Sequence, residues 1–117
     1  MSEPVILVER DPRGIATVTL NRPQVNNAYD RNVLQSASDG LKELAQDAAL
    51  RALVLRGNGR HFQAGVDLKF QSELAAMSKE ENDVVSLLLT GLMRDLNAFP
   101  VPTIALIHGA CIGGGTG

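Results

Sequence analysis

The first quarter of the chain has the alternation of apolar and polar residues that predicts β-strands. In Gly14–Leu20, apolar side chains alternate with two threonines, which is the period of a half-buried strand. A similar segment, Val5–Arg10, precedes it. Asp11 to Gly14 lies between the two, with proline and glycine where a tight turn needs them. We therefore expect two strands joined by this turn.

Further along, the spacing of apolar residues becomes helical. Residues 31–46 carry apolar side chains three and four positions apart, and Asp30 precedes them as a helix N-cap. Ser78 to Glu81 has the form of a capping box, and Pro100 ends the long helix that it opens. That helix has an apolar stripe formed by Val85, Leu88, Leu92, Leu96 and Phe99. The helicity of Leu68–Ala76 is uncertain.

Two short apolar runs predict further strands. Ala52–Leu55 lies between two arginines, is closed by Gly57-Asn58-Gly59, and fits a strand covered on both faces of a parallel sheet. Thr103–His108 is a second apolar run of this kind. Strands that alternate with helices in this order predict an α/β fold with right-handed crossovers, in one domain over residues 1–117.

Composition then narrows the class of function. Eleven basic and thirteen acidic residues give a net charge of −2 with no basic run, and the few aromatic residues argue further against nucleic acid as a partner. One cysteine and two histidines exclude a disulfide framework and the usual zinc sites. There is no apolar run of membrane-spanning length and no secretory leader pattern, so we expect no membrane partner and a cytoplasmic location.

Five of the eleven glycines lie in Gly109–Gly117. A strand that runs into a glycine-rich turn is where α/β proteins present backbone N–H groups to an anion. As a phosphate-binding P-loop, the segment has Gly115 where the lysine belongs, although Thr116 is in place. As a dinucleotide fingerprint it lacks the third glycine. The plainest interpretation is that the glycines let a strand turn tightly into a helix.

A family resemblance decides between these interpretations. Phe62–Leu68 has the form F-x-A-G-x-D-L, and Gly14–Pro23 followed by Asn27-Ala28 forms an opening hairpin with an N-R-P…N-A turn. Pro100–Ala105 and Gly109–Gly115 add a P-x-P-x-I-A…G…G-G-G segment. In order and interval, these motifs resemble the enoyl-CoA hydratase/isomerase (crotonase) superfamily over essentially the whole chain. The resemblance implies the N-terminal portion of a crotonase-like ββα spiral and an enzyme that processes acyl-CoA thioesters.

The same resemblance implies specific site residues. It assigns the two backbone N–H donors of an oxyanion hole to Val66 and Gly114, where they would stabilise the charge that develops on a thioester carbonyl oxygen. It assigns substrate binding to two loop segments, through Gln24, Val25, Ala64, Gly65, Asp67, Leu68 and Lys69. Asp67 can alternatively be a helix cap, and Lys69 merely solvated. Coenzyme A is part of the substrate, so neither a separate cofactor nor a metal is expected.

The chain also departs from the family pattern. Hydratases of the family carry a glutamate two residues after the glycine triplet, where this chain has Gly117. We therefore expect the general acid or base beyond residue 117, in a longer enzyme of which these residues are a truncated portion and which forms a homotrimer or hexamer. The reaction subtype stays open. The alternative is a non-catalytic acyl-CoA-binding or assembly module with the same fold.

Three other reactive side chains match no catalytic position of the family. His61 is expected to be a partly buried loop residue and His108 a residue at a strand end, since neither has a second group spaced to support catalysis. Cys111 is expected to be a small buried hydrophobic residue, because nothing basic lies near it in sequence to lower its pKa.

Overall fold

The computed structural model describes residues 3–117. In this range the chain forms strands Ile6–Arg10 (β1), Ile15–Leu20 (β2), Ala52–Gly57 (β3) and Thr103–Ala105 (β4). Its helices are Arg31–Ala45 (α1), Leu68–Ala76 (α2) and Lys79–Asn97 (α3). Two short 3-10 turns, Pro23–Val25 and Gly113–Thr116, complete it. None of the helices in residues 3–117 is long and apolar enough to cross a membrane.

The four strands form one mixed sheet in the order β1-β2-β3-β4. The antiparallel pair β1–β2 has Val8 opposite Val18, and its turn closes where the Gly14 N–H donates to the Asp11 carbonyl at 3.1 Å. β2, β3 and β4 are parallel, with α1 joining the first two and α2 and α3 joining the last two. Helices that connect parallel neighbours make this the expected α/β fold.

Helix α1 supplies much of the core. The Asp30 side chain accepts a hydrogen bond from the Val33 N–H at 3.0 Å, so the predicted cap is confirmed. The buried face of α1 packs on the sheet, where Ala16 and Leu53 have no exposed surface. The apolar side chains of that buried face are Val33, Leu34, Ala37, Leu41 and Leu44.

Helices α2 and α3 follow one another without a strand between them. The structure resolves the uncertain segment Leu68–Ala76 as helix α2, which buries only Phe70. α3 begins where the Ser78 hydroxyl accepts from the Glu81 N–H at 3.1 Å, and it buries Val85. The remaining stripe residues pack against the core half-buried, with Phe99 just beyond the end of the helix.

The strand predicted at Thr103–His108 is shorter than expected. Its ladder with β3 covers Thr103–Ala105 and ends where the Leu106 N–H donates to the Leu55 carbonyl at 2.8 Å. β4 is an edge strand, and Ile104, for example, is 50% exposed. The expectation that β3 is covered on both faces was also wrong in part. Leu53 is buried, but the residues from Val54 to Arg56 are only half-buried.

Candidate active site

The loops that follow β3 and β4 run side by side at the carboxyl ends of these parallel strands. The Phe62 N–H donates to the His108 carbonyl at 2.8 Å, and the Gln63 N–H donates to the Ala110 carbonyl at 3.1 Å. The Ile112 N–H returns a bond to the Gln63 carbonyl at 3.2 Å. The structure thus brings together the two segments that the sequence singled out, at the edge where α/β folds bind ligands.

Two glycines let these loops touch through their backbones. Gly65 has φ +92° and Gly113 has φ +57°, a region that favours glycine. A β-carbon added to Gly65 would lie 3.0 Å from the Ile112 carbonyl oxygen and 3.6 Å from the Gly113 Cα. The residue after each glycine, Val66 in one loop and Gly114 in the other, therefore flanks the same contact.

Val66 is held by the backbone of Tyr29. The Tyr29 N–H donates to the Gly65 carbonyl at 2.9 Å, and the Asp67 N–H donates to the Tyr29 carbonyl at 2.8 Å. In a parallel bridge of this form, Tyr29 bonds to the residues before and after Val66. The N–H of Val66 itself therefore points away from Tyr29. Within residues 3–117, the Val66 N–H donates to no acceptor.

The Gly114 N–H also has no acceptor among the described residues. Gly114 lies in the first turn of the 3-10 segment, where the Gly115 N–H donates to the Ile112 carbonyl at 3.0 Å. N–H groups at the start of such a turn have no acceptor inside it. None of the described residues accepts a hydrogen bond from the Gly114 N–H. Both expected donors are thus available to an external acceptor.

An apolar cavity of about 200 Å³ opens beside the glycine triplet. The sheet, α1 and α3 enclose it, and among the residues 3–117 that line it there is no carboxylate and no imidazole. The polar side chains on its wall are those of Tyr29, Gln63 and Thr116. The apolar lining comes mainly from Val18, Leu20, Val33, Leu34, Ala37, Leu41, Leu55, Phe62, Leu89, Leu92, Met93, Leu96, Ala105 and Ile107.

The remaining expected substrate contacts lie on two neighbouring segments. Gln24 and Val25 are exposed in the 3-10 turn Pro23–Val25. The Ala64 N–H donates to the Asn26 carbonyl at 3.0 Å and so ties this turn to the loop after β3. Leu68 and Lys69 are exposed in the first turn of α2. Since the N–H groups of Ala64 and Asp67 are used within the fold, a ligand would have to bind to other groups of this segment.

Asp67 is a helix cap, as the alternative interpretation expected. Its carboxylate accepts from the Phe70 N–H at 3.1 Å, and Arg22 Nη2 lies 3.2 Å from the other oxygen. The hydrogen bond from Phe70 lowers the pKa of Asp67 most, and the charge of Arg22 lowers it further. The Asp67 side chain is therefore engaged within the fold.

Arg22 was not singled out in the sequence, although it lies in the N-R-P motif. Its guanidinium lies between the two helix caps, 3.2 Å from Asp67 and 3.7 Å from Asp30, and it donates to the Ala28 carbonyl at 2.6 Å. Its side chain is only 16% exposed. An arginine in a turn followed by two helix-capping aspartates was the signal that could have identified it.

Asn27 is a second residue that sequence reasoning did not develop. It is 1% exposed, and its amide donates to the carbonyls of Asn58, His61 and Phe62 at 2.8 to 3.2 Å. Its side-chain oxygen accepts from the Arg22 N–H at 2.8 Å. Asn27 thereby fixes the path of the loop that leads to Val66.

The two histidines and the cysteine make contacts that support these loops. His61 Nδ1 accepts from the Ala110 N–H at 2.9 Å, and His108 Nε2 lies 2.8 Å from the Gly59 carbonyl. Cys111 is half-buried, not buried as expected, with its Sγ 3.5 Å from the Gly115 carbonyl. In residues 3–117 no three groups of the metal-ligating types lie close enough to hold an ion.

Comparison with known proteins identifies the family of the chain. A family model described as enoyl-CoA hydratase/isomerase matches residues 10–117. The human enoyl-CoA hydratase domain-containing protein 2, mitochondrial, is 38% identical over 104 residues, which are 88% of this chain and 35% of that protein.

Two solved structures are also similar. An enoyl-CoA hydratase from Shewanella pealeana superposes with a TM-score of 0.91 at 32% identity, over 95% of this chain and 42% of its own. One from Mycobacterium smegmatis gives 0.85 at 39% identity, over 93% of this chain and 42% of its own. The chain spans less than half the length of the relatives it matches.

Proposed function

Because the chain belongs to the enoyl-CoA hydratase/isomerase family, we propose that the protein acts on an acyl-CoA thioester through a backbone oxyanion hole. The N–H groups of Val66 and Gly114 bind the thioester carbonyl oxygen. One observation carries this proposal. Two peptide N–H groups without acceptors in residues 3–117 flank the backbone contact between Gly65 and Gly113, and one of them, that of Gly114, lies on the wall of an apolar cavity.

The chemistry needs these donors because charge moves onto the carbonyl oxygen during the reaction. Loss of an α-proton, or attack at the β-carbon, turns the thioester into an enolate-like anion. A preorganised donor of this type is worth about 3–4 kcal/mol of transition-state stabilisation, and more polar surroundings would weaken it. The cavity is lined almost entirely by apolar side chains, which lowers the polarity around the oxygen, and it has room for the acyl group.

The coenzyme A end of the substrate extends over the exposed rim. Gln24 and Val25 form one side of this rim, and Leu68 and Lys69 form the other. The Lys69 ammonium is available to a phosphate group, and the Ala64 carbonyl accepts no hydrogen bond from residues 3–117. Gly65 contributes by allowing the close approach of the two loops.

Proton transfer requires a group that the described part of the cavity does not supply. No carboxylate or imidazole among residues 3–117 lines it, and the family resemblance implies that Gly117 stands at the position of a hydratase glutamate. We propose that a carboxylate from another part of the enzyme fills this role. The same observation favours the second candidate function, a module that binds acyl-CoA without catalysis.

Replacement of Gly114 by proline tests the oxyanion hole, because proline has no N–H. In the full-length protein, Gly114→Pro should abolish the near-ultraviolet absorbance of the acetoacetyl-CoA enolate formed on binding. It should also abolish turnover of crotonyl-CoA and of 3-hexenoyl-CoA. Lys79→Pro controls for the introduction of a proline, since it places one at the exposed first position of α3, where a helix tolerates it, and Gly114→Ala, which keeps the N–H, controls for the added β-carbon. A folded Gly114→Pro variant with an unchanged enolate signal would rule out this assignment.

Measurements on the wild-type protein alone distinguish the enzyme from the second candidate, the binding module. An enzyme turns over crotonyl-CoA or 3-hexenoyl-CoA. A binding module binds both and releases them unchanged, and the α-protons of the bound acyl group do not exchange with deuterated solvent.

A further inference from the structure

Tyr29 contacts both halves of the candidate site. Its backbone hydrogen-bonds the residues on either side of Val66. Its ring lies against Gly114. A β-carbon on Gly114 would be 2.8 Å from Tyr29 Cε1 and 3.0 Å from Cζ, and closer still to the hydroxyl oxygen. One residue therefore reaches both backbone segments that carry the proposed donors.

Gln63 packs on the next glycine in the same way. A β-carbon on Gly115 would lie 2.6 Å from Gln63 Oε1 and 3.1 Å from its Cβ. The glycine triplet is thus confined by two side chains that both line the cavity.

The need for glycine at these two positions is steric. Gly114 and Gly115 are absent from the positive-φ residues of the described chain, so their backbone conformations are open to alanine. The surrounding space does not admit alanine, because the Tyr29 ring and the Gln63 side chain occupy the volume that a β-carbon needs. The contact of Tyr29 with Gly114 is steric and is made by the hydroxyl oxygen as well as by the edge of the ring.

We propose that Tyr29 is a positioning residue of the oxyanion hole, whose ring sets the position of the Gly114 N–H while its backbone sets that of Val66. This inference rests on the proposed function. Because the backbone and the ring of one residue hold both donors, the distance between the donors stays constant as the substrate carbonyl becomes an enolate. Such constancy is what makes a preorganised hole effective.

A double-mutant cycle in the full-length protein tests this proposal. Gly114→Ala keeps the N–H but adds a methyl group that collides with the ring, so kcat and the enolate signal of acetoacetyl-CoA should fall. Tyr29→Ala removes the ring and should also lower kcat, with little change in KM for crotonyl-CoA. The double variant restores the fit, and we expect it to be about tenfold more active than Gly114→Ala alone, an interaction of the size that contacting residues show.

Conservative and structural variants complete the experiment. Tyr29→Phe removes the hydroxyl oxygen but keeps Cε1 and Cζ, which lie 2.8 and 3.0 Å from the β-carbon position, so it should retain most of the wild-type kcat and should rescue Gly114→Ala less than Tyr29→Ala does. Leu50→Ala removes a side chain that is 7% exposed and lies outside the cavity. It should lower the melting temperature and leave kcat unchanged while the protein stays folded.

Two results would overturn the positioning role. One is that the losses in Tyr29→Ala and Gly114→Ala simply multiply in the double variant, without rescue. The other is that Tyr29→Phe loses as much kcat as Tyr29→Ala, which would assign the effect to the hydroxyl group. In both cases Gly114→Pro still abolishes the enolate signal if the proposed function holds. An unchanged signal in Gly114→Pro means that the proposed function itself has failed.

Discussion

Gly65 and Gly113 lie against one another although 47 intervening residues separate them in the chain. A β-carbon on Gly65 would stand 3.6 Å from the Gly113 Cα and 3.0 Å from the Ile112 carbonyl oxygen. This backbone contact joins the loop after β3 to the loop after β4. The proposed donors on Val66 and Gly114 both adjoin it, so the contact controls the geometry of the site.

Gly65→Ala should therefore damage both stability and activity. The φ of +92° strains an L-residue, and the methyl group would press on the Ile112 carbonyl. We expect a loss of about 1–3 kcal/mol in the free energy of unfolding, measured by urea denaturation. We also expect a fall in kcat of at least about tenfold, since small displacements of catalytic groups are costly.

Gly40→Ala is the matched control for this substitution. Gly40 lies in α1, and a β-carbon there would make only an ordinary contact, 3.6 Å from Val8 Cγ2. Alanine in a helix interior should raise stability by about 0.5–1 kcal/mol and leave kcat unchanged. If Gly65→Ala and Gly40→Ala had the same effect on the free energy of unfolding and on kcat, the Gly65–Gly113 contact would not control the geometry of the site.

Arg22→Leu should destabilise the fold through the two helix caps. It removes the cation that lies between Asp67 and Asp30 and leaves two carboxylates facing one another. We expect a loss of about 2–4 kcal/mol in the free energy of unfolding, because removal of one member of a largely buried ion pair leaves the other charge without a partner. Lys79→Ala breaks an exposed pair with Asp83 and should cost less than about 1 kcal/mol. Similar losses in both variants would show that the Arg22 ion pairs contribute no more to the free energy of unfolding than an exposed pair does.

The lowered pKa of Asp67 predicts a specific pH dependence. The Phe70 N–H and then Arg22 favour its ionised form in the folded state, so the folded pKa lies below the usual range of an aspartate. The stabilisation is complete above the unfolded pKa and is lost as the pH falls through the folded pKa. The difference in unfolding free energy between wild type and Asp67→Asn should therefore shrink between about pH 5 and about pH 3.

This measurement has an internal control. The pKa of Asp11 is also lowered, chiefly by a hydrogen bond from Arg13, but that group is present in both proteins and cancels in the difference. A difference that stays constant over this pH range would mean that the Asp67 charge does not stabilise the fold.

Asn27→Asp should be strongly destabilising although the two side chains have the same shape. The amide nitrogen of Asn27 donates to three carbonyl oxygens in a site that is 1% exposed, and a carboxylate would face the same oxygens with no hydrogen to donate. We expect a loss of about 2–3 kcal/mol or more by urea denaturation at neutral pH. The loop that carries Val66 should exchange its amide hydrogens faster as well.

The neighbouring Asn26 provides the comparison for that variant. It has nearly the same backbone conformation, with φ 55° against 59°, but it is exposed and its side chain makes no hydrogen bond in residues 3–117. Asn26→Asp should change stability by less than about 0.5 kcal/mol. An equally large effect there would mean that backbone conformation, not the buried amide, explains the loss at Asn27.

Local patterns predicted most of the elements because they reflect interactions within one turn of chain. Asp30 and Ser78 cap the helices that follow them, each by a bond to an N–H three residues on. The motifs around Phe62–Leu68 and Gly109–Gly115 likewise indicated which two loops matter. The C-terminal end of the last strand, Ala105 instead of His108, was missed because a strand ends where its pairing ends, and its partner β3 lies about 50 residues earlier in the chain.

The arrangement of the site depends on contacts between residues that are distant in the chain, which no local pattern encodes. Arg22 meets Asp67 across 45 positions. Tyr29, an ordinary residue in the amino-acid sequence, meets Val66 and Gly114 because the parallel register of β2, β3 and β4 carries their following loops to one edge. The amino-acid sequence indicated the glycines and, through the family resemblance, both proposed donors. Why those glycines must stay small, and which side chain lies against them, emerged from the packing of the fold, since steric exclusion acts through space and not along the chain.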